Sequence, residues 1–342
     1  MNKVTLAIIL LNWNNPDDTL DCLESLLVAS EKLNSCLFVA DNGSTDQSLR
    51  KIRSTLEYKA VAYSFYQRKK DHFVPVIPHG KERICLLDNG ENLGFAQGNN
   101  VVLKFALHEH SQHFTHYLLL NNDTVVPPDA LVNLTDMASG HPEFKIWTPL
   151  ITYAHNPEII WNAGGFLGRW GGRKYLGHKK SRDTLPQKGF RQITFVTGCA
   201  MMLHHELPEQ GYFLNEDFFF GEEDYYFSMQ MKKTGIKIAV CFASEIRHKV
   251  GTSVQKVSSR SQLALYYIHY LNRIIDMKNW MAGPVYAVWK SGFLFYAAFD
   301  AWWKSWYSPA DMLKFIYLLY KNTKKKQQVT RDDFFGAKEL FK

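Results

Sequence analysis

The stretch His116–Asp129, HYLLLNNDTVVPPD, sets a carboxylate and two amide side chains directly after an apolar run. Tyr117–Leu120 has the composition of a fully buried strand, and it breaks off at Asn121, Asn122 and Asp123. Ligands of open α/β sheets bind at the carboxyl ends of strands, and a carboxylate flanked by amides there suits a hard divalent cation through oxygen donors. An Asn-Asp turn closed by Pro127 and Pro128 accounts for the same residues without any function.

A second chemical stretch is Phe213–Tyr226, FLNEDFFFGEEDYY, with five carboxylates among aromatic residues. Apolar neighbours raise a carboxylate's pKa, and so does repulsion within Glu222-Glu223-Asp224, which equips such a group to take a proton. A charged helix start is the plain alternative, because acids favour an amino-terminal turn through the helix dipole.

Alternating strands and helices must position these groups. Val4–Leu11 reads as a buried strand, Pro16–Ser30 as a helix and Ser35–Ala40 as a second strand. The turn after it, Asp41-Asn42-Gly43-Ser44-Thr45-Asp46, offers Asp41 to a base or ribose and Ser44 or Asp46 as helix caps. Tyr58–Arg83 is aromatic, basic and aperiodic, an irregular surface excursion. Ile84–Leu87 resumes as strand and leads through Asp88–Asn100 into a helix over Ala96–Leu107, whose amino end faces an anion. No Gly-Lys-Ser/Thr follows, so this is not a Walker loop.

Beyond the proline pair, Asp129–Ser139 reads as helix and Phe144–Ile151 as strand. Trp161–Gly177, with six glycines, reads as a surface loop or as a lid in which Arg169, Arg173 and Lys174 meet phosphates and Trp170 stacks on a sugar. Ile193–Thr197 and Cys199–Leu203 read as strands bent at Gly198. His204 and His205, as neighbours on a strand, face opposite ways and cannot share an ion. A helical pattern covers Phe227–Thr234, and Ile236–Cys241 is another strand. The pattern as a whole points to a mostly parallel α/β sheet with a nucleotide site along one edge.

Four blocks in order, Asn12–Asn14 after the first strand, VADNGSTDQS, ENLGFAQGNN and LLLNNDTVVPPDAL, resemble those of inverting family-two glycosyltransferases, particularly the rhamnosyltransferase-like branch. The resemblance runs from about Val4 to Arg273 and implies an A-type glycosyltransferase fold, a mostly parallel sheet between helices. It implies a nucleotide-diphosphate sugar, UDP- or dTDP-linked, held by Asn12, Asn14, Asp41, Asn42, Ser44, Asn92, Gly94, Asn99, Asn122 and Asp123. Asn121-Asn122-Asp123 stands where the family has D-x-D, so only Asp123 keeps a charge. His248 resembles the family's histidine after the last core strand, and with Asp123 it implies a site for Mn2+ or Mg2+. GEEDYYFSMQMKKTG resembles the E-D-x-D block that ends on Gly235, which makes Asp224 the expected catalytic base with Glu223 beside it. Tyr226 and Gln230 depart from that block, in positions that bear on the acceptor. The acceptor implied is a hydroxyl of a glycan or lipid-linked glycan, in surface polysaccharide biosynthesis.

Two other readings compete. A sugar nucleotidyltransferase needs a basic, glycine-rich loop after the first strand, whereas NWNNPDD is acidic and free of glycine. A non-catalytic glycan- or nucleotide-sugar-binding protein on the same fold accommodates Asn121 and Tyr226 directly.

Composition frames these readings. A chain of 342 residues with 21% charged and 14% aromatic residues can bury a large core and is not of the disordered class. Its five cysteines show no zinc spacing and read as buried thiols in a reducing, cytoplasmic compartment. Ser259–Trp280 is an amphipathic helix pattern, and after it Gly283–Tyr307 is loaded with aromatics. At helical spacing Val285, Val288, Phe295, Tyr296, Phe299, Trp302, Trp303 and Trp306 share one side, while Lys290, Asp300, Lys304 and Ser305 share the other. The apolar run between Lys290 and Asp300 is too short for a membrane span, which needs about 20 residues. Eight lysines against two aspartates over Lys278–Lys326 carry nearly all of the net charge of +7. That segment is expected to lie on an anionic membrane surface, as a peripheral contact on the cytoplasmic face. A helix packed on the core is the competing reading. Nucleic acid is set aside, since no binding motif accompanies the charge. The expected division is a catalytic domain over 1–257, a helical region over 258–326 and a polar tail over 327–342.

Overall fold

A computed structural model describes residues 4–77, 83–110, 113–250, 259–305 and 307–341. The chain runs β1 (Thr5–Asn12), α1 (Pro16–Ala29), β2 (Asn34–Asp41), α2 (Ser48–Tyr58), β3 (Ser64–Lys69), β4 (His72–Ile77), β5 (Ile84–Asp88), α3 (Gly94–His108), β6 (His116–Asn121) and β7 (Thr124–Val125). It continues α4 (Ala130–Gly140), β8 (Phe144–Tyr153), β9 (Asn156–Asn162), β10 (Gly165–Leu167), β11 (Arg173–Tyr175), β12 (Phe190–Ile193), β13 (Ala200–His204), α5 (Glu206–Glu209), α6 (Glu223–Thr234) and β14 (Lys237–His248). Four helices follow: α7 (Ser259–Asp276), α8 (Gly283–Ser305), α9 (Pro309–Lys325) and α10 (Arg331–Gly336).

Among the described residues, one sheet of twelve strands has the order β12-β14-β8-β13-β6-β1-β2-β5-β3-β4, with β7 joined to β14 and β9 to β8. Strands β3, β5, β2, β1 and β6 are parallel, β13 enters antiparallel between β6 and β8, and β8 is again parallel to β14. Both faces are covered, which is why the parallel strands read as continuous apolar runs. Phe105 of α3 and Phe227 and Met231 of α6 pack on one face, while Leu26 of α1, Ile52 of α2 and Leu134 of α4 pack on the other. The chain leaves β1 on one side for β2 and β5, then returns through α3 to β6 on the other side. The carboxyl ends of β1 and β6 therefore flank a topological switch point, the place where an open α/β sheet forms its ligand crevice.

Several local expectations change. Tyr58–Arg83 is not irregular: its described part contains the β3–β4 hairpin, which extends the sheet with Phe65, Tyr66 and Phe73 turned into the core. Pro75 is accommodated because β4 is the edge strand. Trp161–Gly177 is not an open loop but carries the end of β9 and the β10–β11 hairpin, and Gly165 is wedged so closely against Lys174 that a Cβ would lie 2.5 Å from its carbonyl oxygen. The strand expected over Ile193–Thr197 is instead β12, which ends at Ile193 and pairs with β14. Helix α2 starts after Gln47, so Ser44 is not its cap; Asp46 accepts from the Ser48 amide at 3.0 Å.

Helices α7, α8 and α9 build a separate apolar cluster, closed by Phe218 from the acidic segment and by Val329, Ala337 and Phe341. Residues 327–341, polar by composition, fold back through a bridge from Val329 to Phe218, and Phe335 of α10 reaches Trp13 with ring centroids 6.1 Å apart. Helix α8 turns its small residues inward, with Ala297 and Ala301 fully buried. Asp300 also faces in, accepting from the Tyr270 hydroxyl on α7. Val288, Phe295 and Phe299 are left in solvent, 77%, 72% and 59% exposed. Trp306 and residues 251–258, which include Gly251-Thr252-Ser253, lie outside the described residues.

Candidate active site

The carboxyl ends of β1 and β2 are tied by amide and hydroxyl side chains. Asn12 Nδ2 donates to Asp41 Oδ1 at 2.8 Å and to Ser44 Oγ at 3.1 Å. Ser44 in turn donates to Asp41 and accepts from the Asn14 amide at 2.9 Å. Thr19, at the start of α1, bridges the switch point: its hydroxyl donates to Asn12 Oδ1 at 2.7 Å and accepts from Asn122 Nδ2 at 2.8 Å. A second cluster lies beside the first, where Asn42 Nδ2 donates to Asn92 Oδ1 at 3.2 Å and Asn92 Oδ1 accepts from the Gly94 amide at 2.9 Å. Asn12, Asn42 and Asn92 are buried, so they hold the loops in shape from below. Asn99 stays within α3, donating to the Phe95 carbonyl at 2.9 Å.

Gly94 is required where it stands: φ is +78° and a Cβ would lie 2.2 Å from the Phe219 carbonyl oxygen. That carbonyl accepts from the Phe95 amide at 3.1 Å, so a first-turn donor of α3, expected to face an anion, is taken by residue 219 instead. A polar cavity of about 310 Å³ opens next to Asn92, between Arg68, Glu91, Gln97, Glu216 and Arg331; neither Asp123 nor Asp224 lines it.

At the β6 end Asp123 meets the last residue of β14. His248 Nε2 lies 3.0 Å from Asp123 Oδ1, and both side chains are at least nine-tenths buried. Backbone pairing enforces the encounter, because His248 is opposite Thr124 in the β7–β14 ladder and the Lys249 amide donates to the Asp123 carbonyl at 2.9 Å. Lys249 Nζ then reaches Asp18 at 2.6 Å and Asp21 at 2.7 Å, fastening this end of β14 to α1. The His248 ring packs edge-on against Trp161 at 4.3 Å. Its other ring nitrogen, Nδ1, is buried without a hydrogen-bond partner. The imidazole Nε2 and the Asp123 carboxylate, side by side and buried, are a donor set that fits a divalent cation.

The acids of the second stretch sit where α6 begins. Glu222 adopts φ +84° and turns the chain sharply into the helix, placing Glu223 and Asp224 in its first turn. Asp224 accepts from the Gly198 amide and pairs with Arg173 Nη1 at 3.3 Å. Burial pushes its carboxyl above the ordinary aspartate range, and the Arg173 charge pulls the other way. Burial, followed by repulsion from Asp224, lifts Glu223 to about 8, and its Oε2 has no partner. Arg173 thus meets a carboxylate of the second acidic stretch. Trp170 is largely exposed, and its carbonyl accepts from Trp289 Nε1 of α8 at 3.0 Å.

The two halves of the site adjoin through the sheet. The Asn121 amide donates to the Cys199 carbonyl at 2.8 Å. Asp123 is two residues beyond that bond, in the turn after β6, and Gly198, whose amide holds Asp224, is one residue before it, ahead of β13.

Sequence reasoning missed the support beneath the acids. Arg273 of α7 clamps both Glu222 oxygens, Nη2 to Oε2 at 3.1 Å, donates to the Gly171 carbonyl, and lies 3.8 Å from the Tyr225 ring centroid. Asn272 donates to the Phe220 and Gly221 carbonyls, each at 3.0 Å. The one available signal was the adjacent Asn272-Arg273 pair within the amphipathic helix pattern. Nor do His204 and His205 diverge: β13 ends at His204, so alternation stops and the rings come within 4.5 Å.

No protein-family model matches this sequence, and no curated protein does. Solved structures do. GalNAc-T7 in its crystal structure with UDP, GalNAc and Mn2+ superposes with a TM-score of 0.58 at 14% identity, covering 94% of this chain and 55% of that one. The mannosyltransferase PcManGT from Pyrobaculum calidifontis, in complex with GDP-Man and Mn2+, gives 0.52 at 12% identity over 94% of this chain and 75% of that one. This chain has the A-type glycosyltransferase fold. It spans about half the length of the GalNAc-T7 chain.

Proposed function

We propose that this chain is an inverting glycosyltransferase, moving a sugar from a nucleotide-diphosphate donor to a hydroxyl of a glycan or lipid-linked glycan. The observation that carries the reading is the juxtaposition at one sheet edge of the buried Asp123–His248 pair and of Asp224, held by the Gly198 amide. The fold it shares with transferases solved with UDP or GDP-Man and Mn2+ supports the same reading.

Asp123 and His248 would hold a divalent cation, which supplies Lewis-acid stabilisation of the charge growing on a departing diphosphate. Asn122, Asn14 and Ser44 carry the donor's polar contacts, and the buried Asn12, Asn42 and Asn92 keep those loops in place. Asp224 takes the proton from the acceptor oxygen as that oxygen bonds to the anomeric carbon and the diphosphate leaves from the opposite face, so one displacement inverts the centre. Burial and repulsion from Asp224 push the Glu223 carboxyl towards its protonated form, and Asp224, paired with Arg173, is the proposed base. The test is donor hydrolysis or transfer with Mn2+. Asp224→Asn loses turnover roughly 10²–10⁴-fold while the donor still binds. Undiminished turnover in that variant removes Asp224 from the mechanism.

The exposed side of α8 presents Val288, Phe295 and Phe299 to solvent. Among the described residues no helix is long and apolar enough to cross a membrane. This face is the proposed peripheral contact with an anionic bilayer, bringing the site to a lipid-linked acceptor.

A further inference from the structure

Cys36 and Cys85, distant in sequence, are neighbours in space. Strands β2 and β5 run parallel with Phe38 opposite Cys85, and side-chain alternation sends Cys36, Phe38 and Cys85 to the same face of the sheet. Cys36 Sγ lies 3.7 Å from Cys85 Sγ, and Cys85 Sγ lies 3.6 Å from Nε2 of His110, just past the end of α3. One ligand atom from each of the three residues falls within 4.8 Å of the others.

We propose that Cys36, Cys85 and His110 form a closed site for one thiophilic divalent ion of the zinc class, separate from the Asp123–His248 pair. The Cys36–Cys85 and Cys85–His110 separations match two edges of a tetrahedral ion's ligand shell. With metal–sulfur bonds of about 2.3 Å and metal–nitrogen bonds of about 2.0 Å, sulfur atoms stand about 3.8 Å apart and sulfur and nitrogen about 3.5 Å apart. Ser64 Oγ donates to Cys85 Sγ at 3.3 Å. Two thiolates and an imidazole select zinc over the hard cations suited to carboxylate oxygens. Phe38 and Phe114 pack on the His110 ring at 5.2 and 5.5 Å and hold it towards the sulfurs.

Cys36, Cys85 and His110 are 2%, 0% and 7% exposed, so the ion enters during folding rather than through an open channel. Its binding releases the two thiol protons to solvent and adds to folding stability. The ion would staple β2, β5 and the end of α3, the elements whose far ends carry Asp41, Asp88 and the Asn92 loop.

The test uses the full chain, expressed with zinc and separately in zinc-depleted medium with cobalt, and purified without chelator. Elemental analysis then gives roughly one zinc per chain that resists chelator until the protein unfolds, and the cobalt form shows a thiolate-to-cobalt charge-transfer band. Asp123→Ala keeps both signals, and Cys36→Ser with Cys85→Ser loses them. If the double variant does not fold, the cobalt spectrum of the unsubstituted chain decides alone. A chain free of zinc and lacking the cobalt band, a Cys36–Cys85 disulfide, or zinc retained by the folded double variant each overturns the proposal.

Discussion

Arg173 Nη1 lies 3.3 Å from Asp224 Oδ1, with both side chains only about one-fifth exposed, so the candidate base is poised between a burial that favours its proton and a guanidinium that expels it. Asp224 must be ionised to act. Removing the cation in Arg173→Ala leaves burial unopposed and raises its pKa further. The acid limb of the kcat/KM profile therefore moves to higher pH, and Arg173→Lys restores part of the shift. An unmoved limb would show that Arg173 does not tune this group.

Glu223 gives a stability signature with a definite sign. Its folded-state pKa of about 8 stands above the ordinary value of 4.5, so the folded chain binds the extra proton. The stabilisation is complete below about pH 4.5 and is lost as pH rises towards 8, at up to about 1.4 kcal/mol per pH unit. Glu223→Gln keeps the neutral form at all pH and flattens that part of the melting-temperature profile between pH 5 and 8. The same variant keeps most of its turnover at neutral pH.

Arg273 and Glu222 are a buried ion pair with side chains 7% and 1% exposed. Removing one partner strands a charge, so Arg273→Ala costs about 3–5 kcal/mol in urea unfolding. Arg273→Lys recovers little, because an ammonium cannot reproduce the two-oxygen fork and the contact with the Tyr225 ring. A loss below about 1 kcal/mol would mean that the clamp is dispensable.

Much of the frame was legible in the sequence, for a physical reason. β1, β2, β5 and β6 are buried on both faces, so each is an apolar run stopping at Asn12, Asp41, Asp88 or Asn121, and those stops are the sheet edge. What stayed hidden depended on tertiary partners. The β3–β4 hairpin is an edge with one buried face and a proline, and β10 and β11 have three residues each, too few for a period. The Arg173–Asp224 contact spans 51 residues and the Cys36–Cys85 contact 49, so neither leaves local spacing to read. The aromatic side of α8 was visible as a stripe. That it faces outward follows from Ala297 and Ala301 packing inward.

Flotation with vesicles tests that outward face. The chain floats with vesicles containing anionic lipid and stays behind with purely zwitterionic ones at moderate salt. Phe295→Asp with Phe299→Asp abolishes flotation without lowering the melting temperature, since both side chains are already in solvent. Equal flotation of the variant would exclude this surface as the contact.

The division of labour between the two aspartates meets its most direct test in calorimetric titration of UDP and dTDP, with and without Mn2+, into Asp123→Ala and Asp224→Asn. Asp123→Ala loses the Mn2+-dependent part of the affinity, about tenfold or more, equivalent to about 1.4 kcal/mol, while Asp224→Asn binds as the unsubstituted chain does. Mn2+-dependent binding that survives in Asp123→Ala, or that disappears equally from both variants, contradicts the account.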